Sequence, residues 1–270
     1  MKVSIVIPIY KEPTADEIIS LCRCCEVLYS YPMTIVAPER LSLTTYLALW
    51  SSYGLTFDVE YFNCKYFKSI AGYNRLMLSQ EFYLRFTDYE YILIYQPDAY
   101  VFRNDLEKWC EKGYDYIGAP LVGTHLDQEY YPSLPMRVGN GGLSLRRVQA
   151  HLNYFEGKKN VFNSKQIIER ISLWEKPHTR VFVWMMMMIG WKNKPLSLAR
   201  NWRYNEDDFW SGVLDNSHYA LKKPLPNEAL EFAFERFPKK MYETIQKLPF
   251  GCHAWRKYQY EEFWHQYIDN

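Results

Sequence analysis

"YILIYQPDAYVF", residues 91 to 102, is the stretch on which the fold turns. Tyr91 to Tyr95 run apolar or aromatic without alternation, which is the pattern of a strand covered on both faces. Such strands belong to parallel sheets sandwiched between helices. The run stops at Gln96-Pro97-Asp98. A carboxylate at the end of a buried strand is costly unless it is paired or coordinated. Pro97 fixes its own φ and places Asp98 on a stiff turn. An Asx-turn or a cap would explain that acid structurally. A hard divalent cation carrying phosphates would explain it chemically.

Upstream, strands and helices alternate. "VSIVIPIY" (3–10) reads as a strand, and Thr14 with Glu17 as a capping box opening a helix whose apolar stripe is Ile18, Leu21, Cys22, Cys25 and Leu28. "MTIVAP" and "FDVEYF" read as strands, with a helix "SLTTYLALWSSYG" between them that Gly54 closes. Residues 69–86 read as one helix. Downstream, Asn104 is expected to cap a short helix ended by Gly113, and "YDYIGAP" to form a fifth strand. The pattern predicts an α/β fold: a Rossmann-type, mostly parallel sheet flanked by helices, with ligands beyond the carboxyl ends of the strands.

The second half loses the alternation. "VGNGGLSLRR" (138–147) is a glycine-rich turn feeding a strand, and residues 164–175 and 180–191 read as helices. A helix is expected to begin at Asn205, "LPFGCHAW" (248–255) reads as a loop, and "YQYEEFWHQYIDN" as an aromatic terminal helix. The expected organisation is one domain: a sheet-forming nucleotide half (1–120), a more irregular half that completes the site (121–256) and the terminal helix (257–270).

The totals narrow the class. The chain has 270 residues, 48% hydrophobic and 23% charged, as soluble globular domains do. Its 32 basic and 31 acidic residues leave a net +1, which provides no global field for nucleic acid. The apolar start is too short for a signal peptide and "VFVWMMMMIGW" too short for a membrane helix, so a cytoplasmic location is expected. The six cysteines lack zinc spacing and are expected to be buried thiols.

Four groups carry chemistry. Asp98 is the first. In "NEDDFWS", Asn205 is a suitable N-cap, and Glu206, Asp207 and Asp208 fall in the first turn, where the helix dipole favours anions and would keep a general base ionised. Ordinary helix design also favours first-turn acids, but three adjacent carboxylates repel one another. Gly139, Gly141 and Gly142 allow positive φ and close approach of a ligand, or simply a tight turn. His253 suits Mn²⁺ and the later transition ions better than Mg²⁺, although a lone loop histidine is more often structural.

Together these pieces resemble the GT-A-type glycosyltransferases, which use nucleotide-activated sugars, and more narrowly a bacterial subgroup with Gln-Pro-Asp in place of Asp-x-Asp. "VSIVIPIYKEP" resembles the family's first strand and nucleotide loop, "YILIYQPDAYVF" the strand ending in its metal motif, "GNGGLSLR" its acceptor-side loop, and "NEDDFW" its base motif. The resemblance implies Asp98 and His253 as ligands of a divalent metal, Mn²⁺ before Mg²⁺. It implies Asp207 as an inverting base, Glu206 as its acceptor-side partner and Asp208 as the alternative base. Pro8, Tyr10, Glu12, Glu39, Asn74, Arg75, Gln96, Gly141 and Gly142 are implied as donor contacts, with Tyr73 beside them. Gln96 departs from the pattern, because an amide lacks the charge of the expected acid. The implied partners are a nucleotide-diphosphate sugar and a glycan or lipid-linked glycan acceptor. Tyr258, Tyr260, Phe263, Trp264 and Tyr267 with Lys257 are expected either to pack on the domain or to make a peripheral membrane contact. Two other readings stand beside this one: a relative that binds glycan or nucleotide without turnover, and a sugar nucleotidyltransferase. The acidic, glycine-free "YKEPTADE" argues against the second.

Overall fold

The computed structural model describes residues 2–121 and 137–268. Strands β1 (Val3–Pro8), β2 (Met33–Pro38), β3 (Asp58–Phe62) and β4 (Tyr91–Tyr95) are parallel and joined by helical crossovers. The crossovers are α1 (Ala15–Val27), α2 (Thr44–Ser52), and the pair α3 (Ile70–Met77) and α4 (Gln80–Leu84). The chain then runs through β5 (Ala99–Val101), α5 (Leu106–Glu111), β6 (Tyr116–Gly118), β7 (Pro120–Leu121), β8 (Arg137–Val138) and β9 (Leu143–Arg147). Strand β9 inserts antiparallel between β4 and β6, so the main sheet has the order β3-β2-β1-β4-β9-β6. The fold is the expected mostly parallel α/β sheet, with one reversed strand.

The strands divide their side chains between two cores, as a period of two requires. Val3, Ile5 and Ile7 of β1 and Tyr91, Leu93 and Tyr95 of β4 face the core that α1 and α2 cover. Val6, Ile92 and Ile94 face the opposite core, shared with α3, α4 and α6 (Val148–Glu156). Both sets are fully buried, which accounts for the missing alternation in the sequence.

Helices α7 (Ser164–Trp174), α8 (Arg180–Met188) and α9 (Pro195–Asn201) precede α10 (Glu206–Asp208), which continues as a π-helical turn over Phe209–Val213. Then follow α11 (Pro226–Phe232), β10 (Ala233–Phe234), α12 (Pro238–Ile245) and β11 (Gly251–His253). A second sheet has the order β10-β11-β5, and β7 pairs with β8.

Several expectations need correction. The 69–86 helix is two, because Ser79 leaves the helical conformation and caps α4 through its side chain. Asn104 is not the cap of α5; Asp105 holds that position without a side-chain bond. On α1 the buried face is Leu21, Cys24 and Cys25, and Ile18 is exposed. "LPFGCHAW" is not a loop throughout, since Gly251–His253 pairs with β5. Residues 257–268 are turns with one 3₁₀ segment, not an α-helix. Four of the six thiols are buried and two are half-buried. The Thr14–Glu17 capping box and the positive φ of Gly54 and Gly113 are as expected. Residues 122–136, within the more irregular half, lie outside the described residues.

Candidate functional site

The turn after β4 sets the geometry. Around Pro97 the chain reverses, with Ala99 N–H donating to Gln96 O at 2.8 Å, and enters β5. Strand β5 pairs with β11 so that Ala99 faces His253. This pairing brings the imidazole to the turn. His253 Nε2 lies 3.2 Å from Asp98 Oδ1 and 3.1 Å from Gln96 Oε1. Its Nδ1 lies 3.1 Å from Glu235 Oε1, just past β10. A carboxylate on the far ring nitrogen fixes the tautomer and orientation of a ligating histidine. Burial opposes charge on His253, but Asp98 and Glu235 outweigh it and push the imidazole up to about 10. Desolvation likewise works against Asp98 as an anion; His253 wins and holds its carboxyl below the usual value. One imidazole nitrogen, a half-exposed carboxylate and an amide oxygen therefore converge in a field that favours a cation. That N/O donor set could hold a divalent metal. Among the described residues no three His, Cys, Asp or Glu groups gather in this way, so the third protein donor would be the Gln96 amide.

The second half of the site is built on α10. Arg146, on β9 and fully buried, donates Nη2 to Glu206 Oε1 at 2.7 Å and Nη1 to Glu206 Oε2 at 3.0 Å. Glu206 is itself only 3% exposed, so both its oxygens are committed. Arg146 is held further by Tyr83 Oη at 3.1 Å and Ser144 Oγ at 3.0 Å. Asn205 does not cap α10 through its side chain. Asn74 does so from α3, accepting from Glu206 N–H at 3.4 Å and donating to Asn205 Oδ1 at 3.4 Å. Asp208 pairs with Arg137. Asp207 Oδ1 accepts its neighbour's N–H at 2.7 Å. Burial first, then the Glu206 and Asp208 charges, pushes the Asp207 carboxyl up to about 7. The expectation that the helix dipole would keep this acid ionised is therefore weakened: the carboxyl is mostly ionised only above about 7. A single α-turn cannot offset desolvation beside two other carboxylates.

Gly141 and Gly142 join the two halves. A Cβ on Gly142 would fall 2.1 Å from His253 Nε2, and one on Gly141 2.4 Å from Glu206 Oε1 and 3.4 Å from Asp207 Cβ. Neither glycine has positive φ. The expected conformational role is thus replaced by one of space: His253 and the Glu206–Asp207 pair press on the same bare dipeptide. Asn140, overlooked in the sequence, accepts the Gly142 N–H at 2.9 Å, and Gln96 N–H donates to Gly142 O at 2.8 Å.

These groups line one open cleft of ≈ 1080 Å³. Pro8, Tyr10, Tyr73, Asn74, Gln96, Asp98, Gly141, Gly142, Glu206, Asp207, Asp208 and His253 are all in its wall. Glu12, Glu39 and Arg75 are not among the lining residues. The cleft lies over β1 and β4, where the strand order switches direction, whereas Glu39 follows β2, one strand away. Arg75 is one helical step past Asn74 and is exposed on another face of α3. The sequence reading missed Glu235, Arg236, Arg137 and Lys257, which also line the cleft. Only the charged pair closing the apolar run "LEFAFER" was a signal for the first two.

The fold and cleft define a GT-A-type α/β domain. Galactosyltransferase LgtC, solved with donor and acceptor sugar analogues, is similar at a TM-score of 0.51 and 11% identity, over 93% of this chain and 86% of that one. The glycosyltransferase GlyE of Streptococcus pneumoniae is similar at 0.48 and 10% identity, over 100% of this chain and 60% of that one. The chain belongs to the family described as a protein of unknown function (DUF5672), whose model matches residues 56–253. A curated relative, the serine/threonine-protein kinase spe-6 of Caenorhabditis elegans, is 24% identical over 155 residues, 54% of this chain. The chain spans 40% of that protein's length. No H-R-D or D-F-G motif of a kinase stands in the sequence.

Proposed function

We propose that this chain is a glycosyltransferase that moves a sugar from a nucleotide-diphosphate donor to a hydroxyl of a glycan or lipid-linked glycan, with inversion. The observation that carries this reading is the convergence of Asp98, Gln96 and His253 across the Gly141–Gly142 seam from Asp207. Asp98 and His253, with Gln96, would hold a divalent metal, Mn²⁺ before Mg²⁺. When bound, such an ion supplies positive charge to the departing diphosphate. Asp207 accepts the proton of the attacking hydroxyl. Its carboxyl near 7 matches a general base working at neutral pH. Glu206 does not receive that proton in this reading; locked to Arg146, it positions Asp207 and raises its pKa. Asp208 is held by Arg137. Asn74 fixes the start of α10, while Pro8 and Tyr10 border the donor end of the cleft. Residues up to 120 form the donor half, and the following ones the acceptor half.

The test is titration calorimetry of nucleoside diphosphates with and without Mn²⁺, followed by donor turnover. Metal-dependent binding and turnover lost in Asp207→Ala are expected. No binding of any nucleoside diphosphate would end the reading. A second reading, binding without turnover, is favoured by Gln96, whose neutral amide stands where an acid would strengthen the metal site. Donor hydrolysis or transfer that Asp207→Ala abolishes removes it.

A further inference from the structure

Helix α8 reads "RVFVWMMMM", and not one of its residues is buried. It lies against α7, and its outer face is bare: Val181 is 68% exposed, Phe182 61%, Met185 48% and Ile189, at its end, 77%. With Met188 these residues fall at i, i+1, i+4, i+7 and i+8, one stripe of a helix. Trp191 and Leu196 extend the exposed apolar surface beyond it. Contiguous apolar exposure of this kind marks an interaction surface. At nine residues the helix is far too short to span a bilayer, and no helix among the described residues is long and apolar enough to do so.

The surrounding charge identifies the partner. Residues 157–204 carry ten Lys and Arg and two Glu, a net +8; the whole chain is +1, so the remainder is −7. Eight of the ten, among them Lys158, Lys165, Lys176, Lys192, Arg200 and Arg203, are exposed. Among the described residues none of the ten pairs with an acid. An apolar stripe within a segment rich in exposed, unpaired cations is the composition of an interfacial helix on anionic lipid. A second copy of this chain would set +8 against +8 across the same face, which disfavours it.

We propose that α8 and the basic residues around it dock this protein on an anionic phospholipid bilayer, with Phe182, Met185 and Ile189 entering the headgroup boundary. The surface differs from the terminal aromatic one that the sequence offered as an alternative to packing. Tyr260, Phe263 and Trp264 are buried in the fold and cannot reach a membrane. The docking surface runs toward the cleft: Tyr204, 60% exposed, immediately precedes cleft-lining Asn205. An acceptor carried in the bilayer would thus meet the acceptor half.

The test is sedimentation of the full chain with vesicles of phosphatidylcholine alone or mixed with phosphatidylglycerol. Partition onto the mixed vesicles only is expected, weakened about tenfold by raising salt from 0.1 M to 0.5 M. Phe182→Asp with Ile189→Asp, and separately Lys176→Glu with Lys192→Glu, should each weaken it about tenfold or more. Lys239→Glu with Lys240→Glu, an equal charge change on α12, should leave it unchanged. If the aspartates disturb thermal unfolding, Val181→Ser with Ile189→Ser takes their place. No partition, or equal loss in the α12 control, overturns the proposal. So does a concentration-dependent dimer in gel filtration that Phe182→Asp dissolves, which would assign the stripe to a second copy. The readout is binding without turnover, so its failure is distinct from failure of the transfer reading.

Discussion

Three adjacent acids, Glu206, Asp207 and Asp208, end in three electrostatic states. Glu206 is fully paired with Arg146, Asp208 is paired with Arg137, and Asp207 is left desolvated between two like charges. Asp207 therefore rises to about 7. Replacing it by Ala should lower turnover by about 10²- to 10⁴-fold while nucleotide binding persists; initial rates and calorimetry together check this. In the proposed mechanism the base works deprotonated, so wild-type kcat/KM should climb with pH and level off above about 7. His151 acts with the opposite chemistry. Burial, then the Arg146 charge, holds its imidazole down to about 3. The unfolded chain takes up that proton near 6.5 and the folded one near 3, so this stability is present above 6.5 and lost as pH falls toward 3. Melting temperatures of His151→Phe should therefore decline less between pH 6.5 and 4 than those of wild type. The resemblance already singled out Asp207 among the acids of "NEDDFW" as the base. That Glu206 and Asp208 are each held by an arginine was not legible, because Arg146 and Arg137 reach them from other strands.

Among the elements, α10 is too short to be stable by itself, since a single turn does not recover the entropy of nucleation. It is held by Arg146 from β9 and Asn74 from α3. Arg146→Ala would leave Glu206 buried without a partner and should cost about 3–5 kcal/mol in denaturant unfolding. Arg146→Met with Glu206→Leu should regain much of that stability, yet stay poor in turnover as Asp207 loses its neighbour. Strand β11 shows the same dependence. "GCH" has too few residues to signal a strand, and it becomes one only because β5 and β10 flank it. Elements such as α1 and β4 were readable, because a capping box opens the first and an unbroken apolar run marks the second as buried on both faces. The split between α3 and α4 was hidden, since the apolar spacing continues across Ser79 while the backbone does not.

At the scale of the whole molecule, the last residues close a third core. Tyr260, Phe263, Trp264 and Ile268 pack with Phe234, Met241, Cys252 and Trp255, beside the strand that carries His253. Trp264 is fully buried, its ring stacked on Phe102 with centroids 5.6 Å apart. Truncation after Trp255 should yield aggregated protein or lower the melting temperature by roughly 10 °C or more, since losing even one such ring costs about 3–5 kcal/mol. A truncated chain that unfolds like the full one would show this core to be dispensable. The sequence by itself determined the parallel sheet, its flanking helices and an acid at the end of β4, because local periodicity and turn chemistry encode those features within a few residues. Only the tertiary structure decided that β9 runs backwards through the sheet, that His253 meets Gln96 and Asp98, and that Glu206 belongs to Arg146. Those outcomes depend on long-range pairing and on competition for buried charge, which no single segment carries.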